Sequence, residues 1–351
     1  MEGVAEGDAF GGQVGVIRLV ISSLLVLAAT STARPKAPVQ TAFRRSPYVG
    51  AISACEEIRK VHLPDGRVET RKDWRIICDD ASDRPAYPAS VSKLMTLLLV
   101  MEDVRRGKYD FESEVVATAD VGRCEPSWVG LKAGEKMTVR DLCLALMVES
   151  ANDAAIALGV NASGSFDAFV ARMNARAAEL GMRNTRYYNP NGLPPNPAKR
   201  YPWKSFNVST AADQLRLAKV LVEMPETFEF TSVKTCDLIK VVGGFRVAVT
   251  RRAGEAERKS RLAEGEKLVK QMLNHNNILR QDKLRLFDSN GREAVDGLKT
   301  GYIDSGGSSI VLSARNGECR ALVVVMGSSS SSERDDNAWR LMTDALSVIK
   351  W

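Results

Sequence analysis

The sequence predicts an α+β fold, on three observations. Stretches with strand character lie towards the two ends of the chain, helical patterns fill the middle, and an amphipathic helix closes it. The N-terminal pair and the C-terminal strands are expected to share one antiparallel sheet, with that last helix on its back and the other helices as a separate lobe. At 351 residues and 44% hydrophobic, the chain can bury a large core as one domain or two lobes.

The first segment reads as an address rather than as structure. Arg18 precedes an apolar run from Leu19 to Ala29, and Ser31-Thr32-Ala33 offers the small residues that a signal peptidase accepts. Glu2, Glu6 and Asp8 are unusual ahead of such a run. They suit a start codon placed too early or an uncleaved anchor. Residues 1–33 are therefore expected to direct export, and residues 34–46 to be a linker. The leader carries one positive and three negative charges, so its loss would raise the formal net charge from +6 to +8. A basic surface suits an anionic envelope, although a generically basic protein reads the same.

Two strands, Tyr48 to Cys55 and Trp74 to Cys78, come next, with a turn at Pro64-Asp65-Gly66. Each strand holds a cysteine, and Cys55–Cys78 is expected to be a disulfide. The six cysteines form no Cys-x-x-Cys pair and the histidines are only His62 and His275, which argues against a zinc site and against a Ser-His-Asp triad. A turn into a helix follows at Pro88 to Thr96, and Leu94 to Met101 is apolar except for Thr96. Such a helix belongs in the centre of a domain. Ser90 and Lys93, three apart, share its face at the N-terminal end. There a desolvated lysine can act as base for a serine. The plainer alternative is a cap and a snorkelling side chain.

Thr138 and Asp141 start another helix, striped by Val139, Leu142, Cys143, Leu146 and Met147. It breaks at Glu149-Ser150-Ala151-Asn152, a polar run among apolar neighbours, which needs partners or lines a cleft. Helices are read at Asp153 to Leu158, Phe166 to Leu180 and Asn207 to Glu223, around an irregular loop at Asn189 to Pro197. Leu238 to Thr250 has strand character. Arg251 to Lys270, strongly charged, reads as a solvated helix or loop. Lys299-Thr300-Gly301 is placed on or before a strand, with Gly301 allowing close approach by a ligand. Strands at Ser309 to Ala314 and Ala321 to Met326 precede a flexible Ser328 to Ser332 connector. The final helix presents Trp339, Met342, Leu346 and Ile349.

Taken together, Ser90-Val91-Ser92-Lys93, Ser150-Ala151-Asn152 and Lys299-Thr300-Gly301 resemble, in order, the motif set of penicillin-binding proteins and serine β-lactamases. The flanks Leu180 to Thr185, Asn189 to Pro194, Asn274-His275-Asn276 and Asp296 to Tyr302 resemble the D-alanyl-D-alanine carboxypeptidases in particular. The resemblance runs from about Tyr48 to the end, so residues 47–351 are expected to be one serine DD-peptidase domain of the penicillin-binding protein/β-lactamase-like transpeptidase fold. The stretch 234–270 is longer than such a domain needs and is expected to be an insertion.

The resemblance implies an active site between the two lobes, no metal and no organic cofactor. It makes Ser90 the nucleophile, Lys93 the base, and Ser150 a proton relay to the leaving D-alanine. Asn152, Lys299, Thr300, Gly301 and Tyr302 become substrate-binding residues, with the Ser90 and Tyr302 N–H groups as the oxyanion hole. The implied partners are a peptidoglycan stem peptide ending in D-Ala–D-Ala and β-lactams as covalent inhibitors, with no nucleic acid. The implied location is the periplasm or the outer face of the cytoplasmic membrane. Ala151 stands where the family more often has glycine, and Ile303-Asp304-Ser305 departs from the usual sequel. An endopeptidase, a β-lactamase or a catalytically decayed peptidoglycan-binding scaffold remain alternatives. The Glu-x-x-Leu-Asn that would activate a deacylating water is missing after Asn152.

Overall fold

The computed structural model describes residues 50–349 apart from 123, 125, 197–202, 251–253, 281–285 and 289. The expected export segment and linker lie outside the described residues.

The chain begins with a hairpin of β1 (Gly50–His62) and β2 (Val68–Asp80), each longer than the sequence suggested. Register with the C-terminal strands stops at Cys55↔Ala321, and beyond it the hairpin continues as a two-stranded ribbon. Both faces of that ribbon meet solvent, so its residues are charged without alternation and carry no strand signal. Cys78 pairs with Ser53, while Cys55 pairs with Arg75 across a register shift. The two cysteines are not cross-strand neighbours, and the expected disulfide does not form.

A 3₁₀ turn, Ala89–Ser92, leads into α1 (Lys93–Arg105), whose first nine residues are all buried. Two short strands missed in the sequence, β3 (Glu114–Val116) and β4 (Lys136–Thr138), precede α2 (Val139–Leu144). The Thr138 hydroxyl caps α2, as its spacing to Asp141 implied. The helix then widens into a π turn, Ala145–Glu149, and stops at Ser150 in the left-handed conformation, φ 60°. Next come α3 (Asn152–Ser163), α4 (Phe166–Glu179), α5 (Ala211–Val222) and α6 (Thr227–Thr231). Helix α5 starts four residues later than expected, because Thr210 caps it and Val208 pairs with Arg186.

The stretch expected to be an insertion contributes strands to a second sheet. It forms β5 (Thr235–Val241) and β6 (Gly244–Val249), then α7 (Glu255–Lys259) and β7 (Lys267–Leu273). The charged run holds the expected solvated helix, α7, and only its last residues enter a strand, β7. These strands join β3 and β4 in a sheet of order β3-β4-β6-β5-β7. After α8 (Asn277–Arg280) come β8 (Val295–Ile303), β9 (Gly307–Asn316), β10 (Cys319–Ser328) and α9 (Ser331–Ser347). The serine-rich connector is a helix start: Ser330 Oγ accepts from Glu333 N, and Ser329 N donates to the Glu333 carboxylate.

The main sheet is antiparallel, order β2-β1-β10-β9-β8, as expected from the two ends of the chain. Alternation along β10 divides the core. Val323 and Val325 pack with Leu341 and Met342 of α9, while Leu322 and Val324 join the larger cluster around α1. Burial on both faces explains why β10 reads as one continuous apolar run. Strand β8 is left at the sheet edge, beside the turn that carries Ser90.

Candidate active site

The 3₁₀ turn at Ala89–Ser92 puts Ser90 and Lys93 one above the other, since residues i and i+3 eclipse in that geometry. Lys93 Nζ lies 2.8 Å from Ser90 Oγ, 2.7 Å from Asn152 Oδ1 and 2.7 Å from the Asn191 carbonyl. The amine is fully buried, whereas Ser90 keeps some exposure. Asn152 is held in orientation because its Nδ2 donates to the Cys124 carbonyl at 2.8 Å, leaving Oδ1 to face Lys93. Asn152 N donates to the Ser127 carbonyl. The buried Asp153 carboxylate accepts the N–H groups of Val129, Gly130, Leu131 and Ala154, which fixes residues 129–131 beside the site.

The third partner, the Asn191 carbonyl, was not singled out in the sequence. Asn189 Oδ1 accepts from Asn191 N and Gly192 N, and Asn191 Oδ1 accepts from Leu193 N. Asn207 Nδ2 donates to both the Asn189 carbonyl and Ser92 Oγ, and Thr96 donates to the Pro190 carbonyl. The asparagines supply the bonds that an irregular buried loop cannot make to itself. Gly192, at φ +84°, lies so close to the turn that a methyl group there would sit 1.8 Å from the Ala89 carbonyl. In the sequence this loop stood out by its asparagines and prolines and by the likeness of Asn189 to Pro194 to the family's flanking residues.

On the opposite wall, β8 carries Lys299 and Thr300, both buried. Lys299 Nζ donates to the Thr300 carbonyl at 2.9 Å. A methyl group at Gly301 would lie 2.5 Å from the Pro88 carbonyl and 3.1 Å from Ser90 N. Gly301 therefore admits the chain's own Ser90 turn, an approach that the sequence reading, which had a ligand in view, did not foresee. Tyr302 is 61% exposed, and its hydroxyl donates to Asp304 Oδ1. Ser150 is buried on its left-handed turn, and its Oγ has no hydrogen-bond partner among the described residues. No direct bond joins Ser150 or Thr300 to the Ser90–Lys93–Asn152 cluster; they lie on its margins.

The cleft is cationic. Burial, and next the charge of Lys299, push the Lys93 amine well below an ordinary lysine. Burial and the nearby Arg334 bring Lys299 down to about 7. His275 has an exposed edge, yet crowding by protein atoms and the charges of Lys299 and Lys93 hold its imidazole at about 4. A neutral Lys93 has two N–H bonds and one lone pair. With Asn152 Oδ1 and the Asn191 carbonyl accepting those N–H groups, the lone pair points at the Ser90 hydroxyl.

Comparison with known proteins agrees with this geometry. The family described as D-alanyl-D-alanine carboxypeptidase, peptidase S11, matches residues 70–245, which include Ser90, Lys93, Ser150 and Asn152 but not β8. The D-alanyl-D-alanine carboxypeptidase DacF of Bacillus subtilis is 28% identical over 277 residues, covering 79% of this chain and 60% of the relative. The chain thus spans less than two thirds of that relative's length. A D-alanyl-D-alanine endopeptidase of Pseudomonas aeruginosa is 35% identical over 130 residues, 37% of each chain. The crystal structure of the D-alanyl-D-alanine carboxypeptidase DacD from Francisella tularensis superposes with a TM-score of 0.67 at 23% identity, covering 90% of this chain and 74% of that one. That likeness establishes the penicillin-binding protein fold. With half of its length matched by the family and with Ser90 and Asn152 converging on the buried Lys93 amine, the chain belongs to the D-alanyl-D-alanine carboxypeptidase (peptidase S11) family.

Proposed function

We propose that the protein is a serine D-Ala–D-Ala carboxypeptidase that removes the terminal D-alanine of peptidoglycan stem peptides through an acyl-enzyme. The observation that carries this reading is the buried Lys93 amine, held by two carbonyl oxygens and aimed at Ser90 Oγ. Lys93 takes the Ser90 proton as the oxygen attacks the penultimate carbonyl. The N–H groups of Ser90 and Tyr302 receive the oxyanion, and the close approach at Gly301 brings those two segments together. Ser150, whose buried hydroxyl has no partner among the described residues, passes a proton to the departing D-alanine nitrogen. Asn152 holds a substrate amide as well as Lys93. Lys299 and Thr300 take the terminal carboxylate, which the positive cleft favours. The edge of β8 gives the substrate backbone a strand to lie along.

In the same reading, residues 1–33 export the protein to the periplasm or the outer face of the membrane, where its substrate is. An addition to the family domain within 234–270 lies beyond residue 245, where the family match ends. An endopeptidase acting on cross-links is the second reading, supported by the endopeptidase relative. Penicillin is expected to acylate Ser90 and to leave slowly, because its tethered leaving group obstructs water. The test is to incubate the protein with labelled penicillin and, separately, with a peptide ending in D-Ala–D-Ala. The expected result is a stoichiometric adduct on Ser90, catalytic release of D-alanine, and loss of both in Ser90→Ala. Rapid multiple-turnover hydrolysis of penicillin would favour a β-lactamase. Neither adduct nor release would favour a decayed scaffold.

A further inference from the structure

We infer that Lys270, on β7 and outside the three motifs, is a positioning residue that holds the Ser150 turn in its working conformation. Its Nζ donates to Glu149 Oε1 and, at 3.1 Å, to the Trp128 carbonyl. Glu149 immediately precedes Ser150, and its side chain is only 16% exposed. Trp128 sits between Ser127, whose carbonyl accepts Asn152 N, and Val129, whose N–H bonds Asp153. One ammonium therefore ties the second sheet to both segments that flank Ser150 and Asn152.

Ser150 needs such a tie. Its side chain makes no bond to the described protein, so its hydroxyl stands wherever its backbone is held. That backbone is left-handed at a residue with a Cβ, a conformation that persists only when its surroundings impose it. The turn also follows a π turn, in which the helical ladder is already irregular. Removing Lys270 would leave the Glu149 carboxylate and the Trp128 carbonyl without their shared donor, and the turn would be free to relax. The inference rests on the role proposed above for Ser150.

The experiment uses the full chain with four substitutions. Lys270→Met removes the tie, Lys270→Arg keeps a charged donor, and Glu149→Gln keeps a neutral acceptor. Lys240→Met is the control, since Lys240 on β5 of the same sheet pairs with Glu135, at similar exposure, away from Ser150. With a D-Ala–D-Ala peptide, Lys270→Met should lower kcat at least about tenfold while KM changes little, as misplacement of a reacting group does. Lys270→Arg should recover most of it, Glu149→Gln should fall between, and Lys240→Met should keep wild-type kcat even where its melting temperature drops as far. Backbone amide exchange should quicken at 127–131 and 150–152 in Lys270→Met alone. If that variant does not fold, Glu149→Gln decides by the same readouts. Unchanged kcat and exchange in Lys270→Met, or an equal loss in Lys240→Met, would overturn the inference. A wild type that releases no D-alanine would count against the proposed activity instead, and the exchange comparison would still judge Lys270.

Discussion

Adding one methyl group at Gly301 tests how the two walls of the cleft are joined. In Gly301→Ala the new carbon would lie 2.5 Å from the Pro88 carbonyl, 3.0 Å from Val91 N and 3.1 Å from Ser90 N. All three are backbone atoms, so no side chain can swing away. Ordinary contact begins at 3.4 Å, so β8 and the Ser90 turn must separate by about 0.9 Å, the difference between 3.4 Å and 2.5 Å. Forcing an extra carbon into such a contact costs about 1–3 kcal/mol of stability. A displacement near 1 Å at a reacting centre costs about 10² in rate, and loss of an oxyanion donor about 10²–10³. Acylation of Ser90 by penicillin and release of D-alanine should both fall about 10²–10³-fold in a protein that still melts cooperatively. A folded Gly301→Ala protein within about threefold of wild type in both assays would refute the reasoning, because the oxyanion geometry would then not depend on that approach.

Three further outcomes follow from the same geometry. Lys299 titrates near 7 in the folded protein, so kcat/KM for a carboxylate-bearing substrate should fall as pH rises through that value, through KM; Lys299→Arg, whose charge persists, should lose that limb. Stability should move the other way: the unfolded lysine holds its proton to about pH 10, so between about 7 and about 10 the unfolded state binds more protons and the Lys299 contribution rises with pH, a slope that Lys299→Met should lack in thermal melts. Asp153→Ala strands the N–H groups of Val129, Gly130, Leu131 and Ala154, and should cost about 3–5 kcal/mol in denaturant unfolding and slow acylation by loosening the Cys124 and Ser127 carbonyls; an unchanged midpoint would contradict this.

How much of this was legible in the sequence depends on how local the signal was. Ser90 and Lys93 are three residues apart, so a short spacing rule found their contact, and the 3₁₀ turn makes that contact more direct than a helix would. Lys299 to Tyr302 fell on a strand because apolar alternation in β9 and β10 framed it. The Asn191 carbonyl and the bracing amide of Asn207 were not legible. Their contacts span the sequence from Ser92 to Asn207, and neither residue type announces a role. The second sheet was read only in part: strand character at Leu238 to Thr250 caught β6 and the end of β5, while β3, β4 and β7 were missed for a different reason. Strand β7 lies at a sheet edge with only Met272 buried, so Lys267 and Lys270 interrupt any apolar pattern. The same exposure hid the ribbon beyond Cys55, where charge on both faces left no period to read. The Cys55–Cys78 disulfide failed on register, which composition does not encode.

The central claim is that burial and the charge of Lys299 hold the Lys93 amine well below an ordinary lysine, so that it can take the Ser90 proton. The most direct test is the second-order rate of Ser90 acylation by labelled penicillin, followed by intact mass from pH 5 to pH 10. The expected rate reaches its plateau well below the pH at which an ordinary lysine loses its proton, and falls on the acid side of that plateau as Lys93 gains one. A rate that climbs steadily towards pH 10, as an ordinary lysine would impose, would contradict it.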